Sequence, residues 1–158
     1  MTGIRLKIAE CLTRGRNLVE STSEVVAYFD GACKPNPGQM GLGIYYLPKY
    51  KNHNSLDGIR VPIPAGPGTN NLAEWKALEA LLLHLVQRDT ESALIRGDSK
   101  LVIEQINGRW KVKTESHQAV AERCYDLLCE LQAAKIEWIP RHLNAVADSM
   151  ANISLMGE

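Results

Sequence analysis

Apolar and polar positions along this chain alternate with one period in its first half and another in its second. From Glu24 onward, VVAYF (25–29) is an unbroken apolar, β-branched and aromatic run, the pattern of a strand buried on both faces. It is expected to stop at Asp30-Gly31, because ACKPNPGQMG carries the Pro, Gly and Asn of a turn. GLGIYYL (41–47) reads as a second strand and PKYKNHNSLDG as a polar connection. IRVPIPA (59–65) reads as a third strand, placed at a sheet edge by its prolines. The short turns predict an antiparallel meander.

After GPGTNN the period becomes helical. Leu72, Trp75, Leu78, Leu82 and Leu85 predict an amphipathic helix over 71–88, with Asn70 or Asn71 as its cap. ALIRG (93–97) is then a strand, LVIEQI (101–106) a short helix, 115–134 a helix, KIEWIP (135–140) a strand and AVADSMANISL (145–155) a closing helix. A meander followed by strand–helix crossovers predicts an α/β fold. Its mixed five-stranded sheet has strands 1–3 antiparallel and strands 4 and 5 parallel, with helices packed on it. Residues 1–23, which mix Arg5, Lys7, Arg14 and Arg16 with Ile4, Leu6, Ile8 and Leu12, are compatible with a short helix, an edge strand or partial disorder. They are set apart as an extension of unassigned role, and 24–158 is read as one domain.

Composition narrows the classes. With 158 residues, 45% of them hydrophobic, the chain can bury one core. Eighteen basic residues balance eighteen acidic ones, so a nucleic-acid partner would need a local patch. No run approaches the roughly 20 apolar residues of a membrane span, and residues 1–22 lack the apolar stretch of a secretory signal. Cys11, Cys33, Cys124 and Cys129 form no CxxC pair. The last two fall about 140° apart around the expected helix, so reduced thiols in the cytoplasm are expected.

Most acids here, such as Glu79, Glu104, Glu122 and Asp126, fit a solvated helix face. Four others do not fit as easily. Asp30 and Asp98 end two strands of the expected sheet, and ligands of α/β sheets collect outside the carboxyl ends of strands. Glu74 is one turn into its helix, and Asp148 has Asn144, Ala145, Ala151 and Asn152 about a turn away, small neighbours that let a backbone approach closely. Singly, each acid has a bland explanation: a turn-forming Asp for Asp30 or Asp98, an acid near a helix N-terminus for Glu74, a solvated position for Asp148. Together they would repel unless hard divalent cations neutralise them.

FDGACKPNPG, TNNLAEWKAL, GDSKLVIEQI and RHLNAVADSMAN, in that order, resemble the four motifs of type 1 ribonuclease H. The resemblance covers about residues 24–155, nearly the whole chain. It implies a ribonuclease H-like catalytic domain whose Asp30, Glu74, Asp98 and Asp148 bind two Mg²⁺ ions, with Mn²⁺ as a substitute. The implied reaction is endonucleolytic hydrolysis of the RNA strand of RNA–DNA hybrids, leaving 5′-phosphate and 3′-hydroxyl ends. Thr69, Asn70, Asn71, Asn36 and Lys100 align with positions that touch the backbone and minor groove, where polar side chains sense 2′-hydroxyls. In INGRWKVK (106–113), Trp110 and its neighbouring cations suit the DNA strand, or else form a solvated loop with Trp110 tucked inward. The extra basic helix of many family members has no room here. His142 stands six residues before Asp148, closer than the histidine that assists catalysis or product release in members with a longer loop. The alternatives are a related nuclease acting also on double-stranded RNA, and a catalytically silent hybrid-binding module, which four retained acids count against. No membrane and no obligate protein partner is implied, so a monomer is expected.

Overall fold

The computed structural model describes residues 3–48 and 58–156. Five strands form one sheet in the order β3-β2-β1-β4-β5: β1 (Val25–Lys34), β2 (Gly38–Pro48), β3 (Ile59–Gly68), β4 (Ser92–Gly97) and β5 (Ala133–Trp138). Strands β1, β2 and β3 pair antiparallel, while β4 lies parallel to both β1 and β5. The helices are α1 (Gly3–Gly15), α2 (Asn70–Gln87), α3 (Lys100–Ile106), α4 (Glu115–Leu128) and α5 (Ala145–Met156), with a 3₁₀ turn at Arg141–Leu143. This is the mixed sheet the periodicity predicts, with β3 at its edge.

Register explains how the helices reach the sheet. Asp30 pairs with Gly43 and Gly31 with Leu42, so strand alternation turns these two pairs to opposite faces. On one face α2 crosses so closely that a Cβ on Gly31 would collide with the backbone of Ala73 and Glu74. On the other face α5 presses its Ala147 and Ala151 backbone onto Gly43. Of the small neighbours of Asp148 expected to allow a close approach, Ala151 makes it, joined by Ala147, while Ala145 is exposed. Between α2 and the sheet lies the core, with Phe29, Trp75, Leu78, Leu81, Leu82, Leu85, Ile95 and Ile103 fully buried. Truncating Trp75 to Ala would cost about 3–5 kcal/mol. Its indole is also tied: Nε1 donates to Gln105 Oε1 at 3.1 Å, and Gln105 Nε2 donates to Lys111 O at 2.9 Å. The core thereby anchors the loop that carries Trp110.

Several boundaries differ from the sequence expectation. β1 does not stop at Phe29 but runs to Lys34, because the ladder with β2 continues through Lys34–Gln39 and confines the turn to residues 35–37. Asp30 is therefore mid-strand, and the glycine beside it serves α2 and not a turn. β3 likewise extends to Gly68. The cap of α2 is Thr69, whose hydroxyl accepts from Leu72 N at 3.2 Å, in place of Asn70 or Asn71. α4 ends at Leu128 and β5 begins at Ala133, since Gln132 and Ala133 both donate to Glu91 O and pull the chain into the sheet. Most of the polar connection read between β2 and β3, residues 49–57, lies outside the described residues.

Residues left open by the sequence form α1, which packs on β5 and α4. Cys11 joins the main core, and Arg14 donates to Gln132 O at 3.0 Å. No helix among the described residues is long and apolar enough to cross a membrane.

Candidate active site

Each acid reaches the same place by a different route. Asp30 comes from the middle of β1, Asp98 from the end of β4, Glu74 from the second turn of α2 and Asp148 from α5. One carboxylate oxygen from each of Asp30, Glu74 and Asp98 lies within 4.8 Å of the others. Asp148 lines the same cleft, about 380 Å³ in volume, with Asn70, Asn71, Ser99, Arg141 and Asn152 on its walls.

Amide side chains hold the arrangement. Asn144 is buried and its Nδ2 donates to Phe29 O and to Asp98 Oδ2, both at 2.9 Å, so one side chain ties β1 to β4's acid. Asn152 Nδ2 donates to Asp148 O at 2.9 Å and Oδ1 at 3.3 Å, while Lys34 Nζ donates to Asn152 Oδ1 at 2.6 Å. Arg141 stands 3.8 Å from Asp148 Oδ1. The sequence already set Asn144 and Asn152 one turn either side of Asp148. Lys34 and Arg141 were missed, and only their nearness to motif acids marked them.

The deep half of the cleft is electrostatically strained. Asp30 is 5% exposed and Glu74 8%. Burial, the largest cause, pushes the Asp30 carboxyl up to about 7; Asp98 and Asp148 add to the rise, and a hydrogen bond with Glu74 opposes it. Burial followed by the Asp30 charge holds Glu74 well above the ordinary carboxylate range, against the pull of the Gly31 N–H. Glu74 Oε2 is buried without a hydrogen-bond partner. A buried, unpaired carboxylate oxygen facing two further carboxylates is a donor set suited to a hard divalent cation. The residues present fit such a cation.

The other expected contacts spread along the same side or leave it. Asn36 Oδ1 accepts from Asn70 N at 3.1 Å, so Asn36 braces the start of α2, and Thr69 caps it. Asn70 and Asn71 face the cleft. Lys100 is exposed, with its ammonium over the Trp138 ring. Trp110 is 47% exposed and lines a separate depression of about 710 Å³ with Lys111, Val112 and Tyr125, so it is not tucked into the core. His142 is placed apart from the acids, in a depression of about 280 Å³ with Tyr28, Tyr45 and Val146. Its neighbour Arg141 is the side chain from that turn that reaches the cleft.

Comparison with known proteins agrees with this geometry. The family model described as reverse transcriptase-like matches residues 28–154. A bifunctional protein of Mycobacterium tuberculosis is 34% identical over 129 residues, which cover 82% of this chain and 35% of that protein. The chain thus spans about a third of the length of its mycobacterial curated relatives. The crystal structure of ribonuclease H1 from Halobacterium salinarum superposes with a TM-score of 0.77 at 31% identity, covering 85% of this chain and 98% of that one. LC11-RNase H1, solved in complex with an RNA/DNA hybrid, gives 0.72 at 28% identity over 84% of this chain and 96% of that one. The chain belongs to the reverse transcriptase-like family, of ribonuclease H-like fold.

Proposed function

We propose that this chain is an endonuclease that hydrolyses the RNA strand of RNA–DNA hybrids, leaving 5′-phosphate and 3′-hydroxyl ends. The observation that carries this reading is the convergence of three carboxylates within 4.8 Å, two of them buried, in a cleft completed by Asp148. The solved hybrid complex of a similar protein supports the choice of substrate.

Asp30, Glu74, Asp98 and Asp148 would hold two Mg²⁺ ions, with Mn²⁺ as a substitute. When bound, the ions supply Lewis acidity at the scissile phosphate and ease the ionisation of the attacking water. The chain's own residues do the rest. Asn144 and Asn152 orient Asp98 and Asp148, so those two carboxylates would offer their oxygens to the ions in a fixed geometry. Asn70 and Asn71 on the cleft wall offer amides to the sugar edge of the RNA strand, where a 2′-hydroxyl distinguishes it from DNA. Asn36 and Thr69 steady that wall from behind. Trp110 and Lys111, outside the cleft, suit the backbone of the DNA strand. The enzyme acts as a monomer in the cytoplasm, where its four free thiols stay reduced.

Cleavage of matched RNA–DNA hybrid, duplex RNA and duplex DNA, with Mg²⁺, with Mn²⁺ and with chelator, tests the proposal. Metal-dependent cutting confined to the RNA strand of the hybrid is expected. Comparable cutting of duplex RNA would widen the substrate class, and tight hybrid binding without cleavage would mark a silent binding module.

A further inference from the structure

Trp138 closes β5 and, like Trp110, is about half exposed, at 45%. Two contacts fix its indole there. Nε1 donates to the backbone carbonyl of Asp98 at 3.1 Å, and the Lys100 ammonium lies 5.5 Å from the ring centroid. The sheet dictates the first contact: Trp138 pairs with Gly97 in the parallel β4–β5 register, so the indole stands beside the residue preceding Asp98. Between the two contacts, Ser99 caps α3 by accepting from Val102 N at 3.4 Å. One side chain therefore governs both ends of the Asp98–Lys100 turn.

The charge of Lys100 is left available. Glu104, one turn along α3, is instead engaged by Arg109 through bonds of 2.6 and 3.1 Å. An exposed cation–π contact is weak, so it biases the lysine rotamer without neutralising its charge and yields readily to a phosphate. Asp98, for its part, is held at its carboxylate by Asn144 and at its carbonyl by Trp138.

We propose that Trp138 is a positioning residue of this nuclease site: its N–H fixes the Asp98 backbone so that the carboxylate meets Asp30 and Glu74, and its ring holds the Lys100 ammonium ready for a backbone phosphate of the bound hybrid. The second half rests on the nuclease reading above, whereas the first half needs no substrate.

Trp138→Phe keeps a ring and removes the N–H; Trp138→Ala removes both; Lys100→Met removes only the cation. Mg²⁺ titrations of the substrate-free proteins, followed by amide NMR, should show both tryptophan variants binding about 3–10-fold more weakly, the scale of one lost hydrogen bond, with Lys100→Met unchanged. Hybrid binding with Mg²⁺, measured in the cleavage-deficient Asp30→Asn background, should weaken for Trp138→Ala and Lys100→Met, with a log–log salt slope shallower by about one. Trp138→Phe should keep the slope. Wild-type Mg²⁺ affinity in Trp138→Phe overturns the first half, and an unchanged slope in Lys100→Met overturns the second. Should Trp138→Ala not fold, the other two variants decide alone. Failure of the unmodified protein to cleave any duplex would sink the nuclease reading and leave the NMR result standing.

Discussion

The deep and shallow halves of the acid cleft are built on opposite plans. Asp30 and Glu74 are buried against each other, with a carboxylate oxygen of Glu74 left unpaired and no cationic side chain within ion-pair distance among the described residues. Asp98 and Asp148 are half-buried, and each is held by an amide: Asn144 for one, Asn152 for the other, with Arg141 at the rim. The shallow pair is preorganised by neutral hydrogen bonds. The deep pair is left with concentrated negative charge that only a proton or a metal can relieve. A fold that needed these acids for its own stability would have paired them.

The largest expected effect comes from removing charge at the deep end. Asp30→Asn should reduce hybrid cleavage by roughly 10³-fold or more. It should also raise the melting temperature of the metal-free protein at pH 8 by about 3–8 °C, because one desolvated like charge is gone. Cleavage rates and thermal melts in chelator measure both. Retained activity, or a lower melting temperature, would erase the distinction between the two halves.

The next effect is on pH dependence. The Asp30 carboxyl, raised from an ordinary value of 3.8 to about 7, binds its proton more tightly in the folded than in the unfolded chain. Stability from this group is therefore full below about pH 4 and is lost as pH climbs through about 7. Glu74 is shifted in the same direction. Metal-free protein should melt at lower temperature at pH 8 than at pH 5. Mg²⁺ should stabilise strongly at pH 8 and hardly at all at pH 5, where protons already occupy the deep pair. Calorimetric melts with and without Mg²⁺ test this, and a flat profile without metal would contradict it.

The comparison also shows what was legible in the sequence. The four acids could be named because four short motifs stand in the order of a known family, each on its expected element, and the order of strands and helices followed from the switch of hydrophobic period. The depth of Asp30 could not be read. Asp30-Gly31 looks like a strand terminator, and only the approach of α2 to Gly31 shows that the glycine gives room to a helix. The cap of α2 is Thr69 and not Asn70 or Asn71 for a similar reason: Thr, Asn and Asn in succession are all good caps, and the register of the helix chooses. Trp138 went unnoticed because a strand-end tryptophan looks like core until the Asp98 carbonyl is found beside it.

A smaller loss is expected at the amide that joins the two halves. Asn144→Ala would strip donors from the Phe29 carbonyl and the Asp98 carboxylate, costing about 1–3 kcal/mol of stability. Turnover should fall about 10–100-fold, since Asp98 loses its orientation while all four acids remain. Urea unfolding and steady-state kinetics separate the two effects. A variant with wild-type turnover would show that the metals alone align Asp98.

The smallest effect should come from His142. A neutral imidazole at the mouth of a nuclease site can carry a proton near working pH, and general acid–base help is typically worth about 10²–10⁴-fold. The placement of this histidine argues against that role. It lies on the exposed 3₁₀ turn and faces the depression lined by Tyr28 and Tyr45, while Arg141, one residue earlier, lines the acid cleft. An exposed side chain outside the cleft contributes little to stability or to charge balance around the proposed metal ions. His142→Ala should therefore keep turnover within about threefold of the parent, with the Mg²⁺ midpoint and the pH profile unmoved. Asp148→Ala, measured beside it, should weaken Mg²⁺ dependence and lower turnover far more. If single-turnover rates fall equally in the two variants, the 3₁₀ turn must swing its imidazole into the cleft when substrate binds, and the divide between rim and depth would have to be redrawn around it.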